Sequence, residues 1–339
     1  MLANSLIKLI VLLVALSVLL KSARAGARCD EESLHLSVDT KGAGKRQAAL
    51  LSPPMPAYWI NLASSVERKR YMKQMLALRS PSLGIGHHKR IEAVTPESPA
   101  YNVTRLEKPC KRNTPNDLAI IMSHLAAMRT AVYDQHQSVG ESQYALILED
   151  DVEFLFDIDL YHIVRKAPPG FGILQLMTSN IEAIDELWNK YTSSGEVDRW
   201  TLNHWTNTTG NGKYARYWGA LGYIINKQVV KPFLDDVVTH DAASGLNSYK
   251  LVNSFFANGC KRTRDRPCVL ANCLFSDTYI YSGAGPTYVH NVPLITSGKA
   301  ASTSHQNHIE AHVKAFQRIK EITDAIRDEE AHKQCLGHK

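Results

Sequence analysis

Several absences narrow the field. The chain has no CxxC pair, and the clustered Cys260, Cys268 and Cys273 have no histidine close after them, so they make a poor zinc-binding pattern. It has no G-x-S-x-G stretch, which removes the nucleophile elbow of a serine hydrolase. Ser123 and His124 are neighbours on an expected helix, so they do not face each other as a dyad. No internal repeat is visible. The net charge is only +6 over 339 residues. The basic residues are scattered and not interleaved with aromatics, so no nucleic-acid partner is expected. The mild basic lean suits an anionic small ligand.

The one long apolar run, LIVLLVALSVLL at 9–20, is short of the about 20 residues that span a bilayer. It follows MLANSLIK and precedes Ala23-Arg24-Ala25, an A-x-A cleavage pattern. Residues 1–25 therefore read as a signal peptide, with membrane anchoring through residues 9–20 as the rival reading. Either one sends the chain into the secretory pathway lumen (endoplasmic reticulum or Golgi), or to secretion if the signal is cleaved. Two sequons agree, at Asn102-Val103-Thr104 and Asn207-Thr208-Thr209. In that oxidising compartment Cys260 is expected to pair with Cys268 or Cys273 within NGCKRTRDRPCVLANC. Residues 26–55 are small, polar and proline-containing, and read as a stem or linker.

From Tyr58 the pattern changes, and at 44% hydrophobic content the chain can bury a substantial core. Strands are expected at YWINL (58–62), KRIEAV (89–94), YALIL (144–148), GILQL (172–176), ALGYIIN (220–226), DTYIYS (277–282) and PTYVHN (286–291). A helix capped by Ser64 or Ser65 follows the first strand. A second, over 116–136 and capped by Asn116 or Asp117, places Ile120, Ile121, His124, Leu125, Met128 and Val132 on one face. KQVVKPFLDDV (227–237) and residues 308–331 are further helices. Alternating strand and helix implies an α/β fold with a mostly parallel sheet covered on both faces. YALIL shows no alternation, as a central parallel strand should not. A catalytic domain over 56–307 and a C-terminal amphipathic helix and tail over 308–339 are expected.

The chemistry concentrates in YALILEDDVEF (144–154), where an apolar strand runs into Glu149, Asp150 and Asp151. Ligands of open α/β sheets bind beyond the carboxyl ends of strands. Strict alternation would point Glu149 and Asp151 one way and Asp150 the other. Two carboxylates on one side suit a hard cation, Mn²⁺ or Mg²⁺, whose shell is completed by substrate phosphates. The bland alternative is a solvated acidic turn. His124 is either a satisfied core histidine or a ligand, and Arg68, in ERKR, either a solvated residue or part of the site. Asp235 and Asp236 lie near a helix C-terminus, where the dipole disfavours them.

The chain resembles glycosyltransferase family 25, which includes lipopolysaccharide glycosyltransferases and procollagen galactosyltransferases. WINLASSVERKRYM, HKRIEAVTP, TPNDLAIIMSHLAAMRTAV, YALILEDDVEF and YWGALGYIINKQVVKPFL match in order over residues 57–235. The resemblance implies a GT-A type nucleotide-sugar fold and a metal-dependent, inverting transfer of a hexose, galactose or glucose. The donor would be a UDP-sugar and the acceptor a hydroxyl of a glycan or protein. It places Asp151 directly on the metal, Glu149 on the metal through water or at the donor ribose, and Asn61, Arg68, Ser123, His124 and Asp150 at the donor. Where the family carries Asp after Asn-Leu this chain has Ala63, and where it often carries Asp-Gly this chain has Thr95-Pro96. An inverting reaction needs a base for the acceptor proton, and Asp277 is the residue expected. His290, His305 and His308 stand behind it as metal or phosphate contacts. The alternative readings are a catalytically inactive nucleotide-sugar or glycan-binding protein of the same fold, and a metal-dependent hydrolase or nucleotidyl enzyme using the same carboxylates.

Overall fold

The computed structural model describes residues 53–106, 113–135, 142–194, 200–203, 217–251, 276–298 and 309–337. The expected signal segment, Asn207, the Cys260–Cys273 stretch, His305 and His308 lie outside the described residues. The chain from Leu50 to Ile326 makes one compact unit, and the described residues from 327 onward fall in a second. Among the described residues no helix is long and apolar enough to cross a membrane.

Three apolar stretches build the centre: β1 (Met55–Asn61), β4 (Tyr144–Glu149) and β8 (Gly222–Asn226). They are buried almost throughout, which explains the lack of alternation in their sequences. With β2 (Ile85–Glu92), β6 (Ile173–Gln175), β7 (Trp200–Asn203) and β11 (Thr287–His290) they form a seven-stranded sheet in the order β2-β1-β4-β8-β6-β11-β7. Pairing is parallel along β2-β1-β4 and between β6 and β11, and antiparallel on both sides of β8. The carboxyl ends of β2, β1, β4, β6 and β11 therefore share one edge of the sheet, together with the residues that lead into β8. Two small sheets flank it: β3 (Val103–Leu106), β10 (Asn247–Leu251) and β9 (Val238–His240), and the pair β5 (Val152–Phe154) and β12 (Ile295–Ser297).

Successive side chains of the central strands go to opposite faces, giving two cores. Tyr58, Ile60, Ala145, Ile147, Tyr223 and Ile225 pack under α2 (Pro115–Tyr133), α5 (Lys227–Val237) and α6 (Ser276–Gly283). Ala57, Trp59, Leu146, Leu148 and Ile224 pack under α1 (Val66–Leu83), α3 (Leu160–Arg165) and the first part of α7 (Ile309–Gly337), through Ala315, Ile319 and Ile322. Shortening any of these buried aliphatics to alanine removes about 2–5 kcal/mol. The helix α4 (Ile181–Ser194) completes the order.

Two expectations change. The cap of α2 is Thr114: its side chain accepts from Asp117 N–H, Asp117 accepts from Thr114 N–H, and Pro115 takes the first helical position. This capping box begins the helix before Asn116 and Asp117. The segment DTYIYS, expected as a strand, lies in α6. Its Tyr-Ile-Tyr run mimics strand composition, but Tyr279, Ile280 and Tyr281 are all buried, and over so few residues the two periods are not separable.

Candidate active site

The acidic triplet stands at the shared carboxyl edge. β4 ends at Glu149, and Asp150 and Asp151 form a turn into β5. Because the strand stops there, the expected alternation does not extend through the triplet, and each carboxylate has a partner of its own. Glu149 meets His124 of α2, with Oε1 3.3 Å from Nε2. Asp150 accepts from Asn61 Nδ2 at 2.6 Å and pairs with Arg68 Nη1 at 3.0 Å. Asp151 accepts from the Ser297 hydroxyl at 3.2 Å, because β12 pairs with β5 and sets Ser297 opposite Val152.

Asp150 is held within a polar lattice. Arg90 Nε donates to Asn61 Oδ1 at 2.8 Å and its Nη2 donates to Asn61 O at 3.1 Å, which turns the amide Nδ2 toward Asp150. Arg68 also donates to Ser65 Oγ, the N-cap residue of α1. Arg68 is thus part of the site and not a solvated helix position. Burial outweighs the Asn61 hydrogen bond and the Arg68 charge, so the Asp150 carboxyl sits above the usual carboxylate range. Arg90 was not legible as a site residue: it sits in the ordinary strand IGHHKRIE, and only the β1–β2 register brings it against Asn61.

Asp151 is the anomalous member. It is 5% exposed, and its Oδ1 has no hydrogen-bond partner among the described residues. Burial first, then the charges of Glu149 and Asp150, push its carboxyl up to about 7. A buried carboxylate oxygen without a donor, beside two more carboxylates, fits an oxygen-ligated divalent cation. Among the described residues no three His, Cys, Asp or Glu side chains are gathered to hold a metal alone.

The segment leading into β8 lies against the triplet, since Glu149 N–H donates to Leu221 O. Gly219 adopts φ +115°, and a Cβ there would meet Ser179 Oγ at 2.8 Å, so the turn needs glycine. Its carbonyl accepts from the Tyr281 hydroxyl and from Gln175 Nε2, and its N–H donates to Asp277 Oδ2 at 2.9 Å. Asp277, in the first turn of α6 and not at the head of a strand, is thus brought to the same edge as the triplet.

The remaining expected residues take other places. Ser123 is buried; its hydroxyl accepts from Val94 N–H and donates to Ala119 O, tying α2 to the chain after β2. His290 is buried, with Nδ1 at Val292 O and its ring edge-on to Trp200. Asp235 and Asp236 are surface partners of Lys231 and Lys250. Asn102 is exposed in the turn before β3.

Two solved structures are similar over part of the chain. One is a glycosyltransferase involved in the glycosylation of the major capsid of PBCV-1, with 8% identity and a TM-score of 0.34, covering 80% of this chain and 98% of that one. The other is mouse xyloside xylosyltransferase 1 in its apo form, with 12% identity and a TM-score of 0.25, covering 53% and 57%. No curated protein matches the chain. The sequence pattern of glycosyltransferase family 25 (LPS biosynthesis protein) matches residues 55–243, from β1 through the acidic turn and past α5. On that match, which spans more than half of the chain, this protein belongs to glycosyltransferase family 25 and is a glycosyltransferase.

Proposed function

We propose that this glycosyltransferase moves a hexose, galactose or glucose, from a UDP-sugar to a hydroxyl of a glycan or protein, with inversion and with Mn²⁺ or Mg²⁺ bound at the acidic turn. The observation that carries the reading is Asp151 Oδ1, a buried carboxylate oxygen without a hydrogen-bond donor at the carboxyl edge of the sheet. Asp151 and Glu149 would hold the cation, which when bound supplies Lewis-acid stabilisation of the departing diphosphate. Asp150 stays with Arg68 and Asn61. It braces the donor end of the turn instead of ligating. Ser123 supports that end from behind by fixing α2 to Val94. Asp277 takes the proton of the acceptor hydroxyl, and that oxygen attacks the anomeric carbon on the face opposite its bond to the diphosphate, which breaks to release UDP and inverts the centre. The Gly219 N–H, donating to one oxygen of Asp277, orients the carboxylate for that role.

The apolar run at 9–20, the cleavage pattern after it and the exposure of Asn102 support a domain in the secretory lumen. The test is a donor screen: the purified chain with Mn²⁺ and a panel of UDP-sugars, scored for UDP release with and without acceptors. One UDP-sugar should be turned over, and Asp277→Asn should lower kcat by about 10²–10⁴. Donor binding without turnover would instead favour a binding protein. Release of free sugar that no acceptor diverts would favour a hydrolase.

A further inference from the structure

Three polar side chains run through the core beneath the acidic turn. The Tyr223 hydroxyl lies 3.1 Å from His124 Nδ1, and His124 Nε2 lies 3.3 Å from Glu149 Oε1. Tyr223 has no exposed surface and His124 is 1% exposed, both within the apolar layer under α2. The Glu149 side chain is 38% exposed, at the rim. We propose that Tyr223 and His124 are positioning residues for Glu149: the tyrosine hydroxyl fixes the imidazole through Nδ1, and the Nε2–H holds the Glu149 carboxylate in place at the edge of the site.

The assignment follows from donor counting. A ring nitrogen that carries a proton donates, and one that does not accepts. Burial, and then the Glu149 charge, hold the Tyr223 phenol well above its usual range, so it keeps its proton and donates. Its partner among the described residues is His124 Nδ1, which must therefore accept. The proton of the ring then sits on Nε2 and points at a carboxylate, a charge-assisted hydrogen bond. The opposite tautomer would leave a buried hydroxyl proton without an acceptor and set a lone pair against Glu149. The rings are packed at a centroid distance of 5.8 Å and a tilt of 32°, which opposes ring rotation. A phenylalanine at 223 would fill the same layer, so the hydroxyl adds orientation and not volume. A glutamate otherwise has several rotamers to lose on engaging a ligand, and a held carboxylate loses fewer.

That Glu149 serves a sugar donor rests on the function proposed above; the relay itself does not. The experiment uses the full chain labelled with ¹⁵N-histidine, without metal. A multiple-bond ¹H–¹⁵N spectrum reads the tautomer of His124, assigned by its loss in His124→Gln. The wild type should show the Nε2–H form alone, and Tyr223→Phe a mixture of forms. In the transfer assay, Tyr223→Phe should raise the donor KM about tenfold and leave kcat within about twofold, rates being taken per folded protein. His124→Gln, whose amide still donates to Glu149, should keep more activity than His124→Leu. An Nδ1–H tautomer in the wild type, an unchanged spectrum in Tyr223→Phe, or equal activity of the Gln and Leu variants would overturn the relay. If the wild type turns over no UDP-sugar, the transferase reading fails and the tautomer spectra alone decide the relay.

Discussion

Replacing Asp151 with asparagine should make the metal-free protein more stable than wild type at pH 8 and less stable than wild type at pH 4. The Asp151 carboxyl is raised from 3.8 to about 7 by burial and by its acidic neighbours. Between those values the folded state holds a proton that the unfolded chain has released, so stability falls as pH rises from about 4 to about 7 and then levels off. A shift of about three pKa units corresponds to about 4 kcal/mol, an upper figure because the proton belongs to the whole carboxylate cluster. Asparagine removes that loss. Its oxygen can still accept from Ser297, but its amide would occupy the place of Oδ1, which has no partner, at about 1–3 kcal/mol. The net gain is about 2 kcal/mol at pH 8, equivalent to a Tm rise of a few degrees. Urea titrations of both proteins at the two pH values measure it. A variant less stable than wild type at pH 8, or one with the same pH dependence, would refute the reasoning.

Other perturbations test the surroundings. Arg68→Ala leaves the buried Asp150 carboxylate with Asn61 and without its cation, and should cost about 3 kcal/mol in urea unfolding. Gly219→Ala forces an L-residue to φ +115° against Ser179 Oγ, so a loss of about 2 kcal/mol is expected, with weaker transfer because Leu221 holds the Glu149 backbone. Protein from a glycosylating host should run faster on a gel after endoglycosidase treatment. Asn102→Gln should remove part or all of that shift, and a native protein with no shift would count against a lumenal location.

The central strands were legible because they are buried on both faces. YALILE and GYIIN carry no alternation, and few environments other than the middle of a covered sheet accept that. The triplet was legible for a related reason: three carboxylates at the end of such a strand need an outside explanation. Its surroundings were not. Ser297 reaches Asp151 only through the β5–β12 pairing, and Arg90 reaches Asn61 only through the register of β2 on β1. Both are separated from their partners by long stretches of chain, and neither residue type is unusual in a strand. His124 left two readings open, and the structure shows a buried histidine whose partners are Tyr223 and Glu149. DTYIYS misled because aromatic and β-branched residues recur there at a strand-like period, while burial on several sides of a short helix sets the conformation.

The central claim is that the acidic turn binds a nucleotide through a cation. Titration calorimetry of UDP into wild type and Asp151→Asn, each with Mn²⁺ and with chelator, tests it most directly. The account predicts that wild type binds UDP at least about tenfold more tightly with Mn²⁺ than without, and that the variant binds weakly and equally in both conditions. Equal UDP affinity of the wild type with and without metal, or a metal-dependent gain retained by Asp151→Asn, would contradict it.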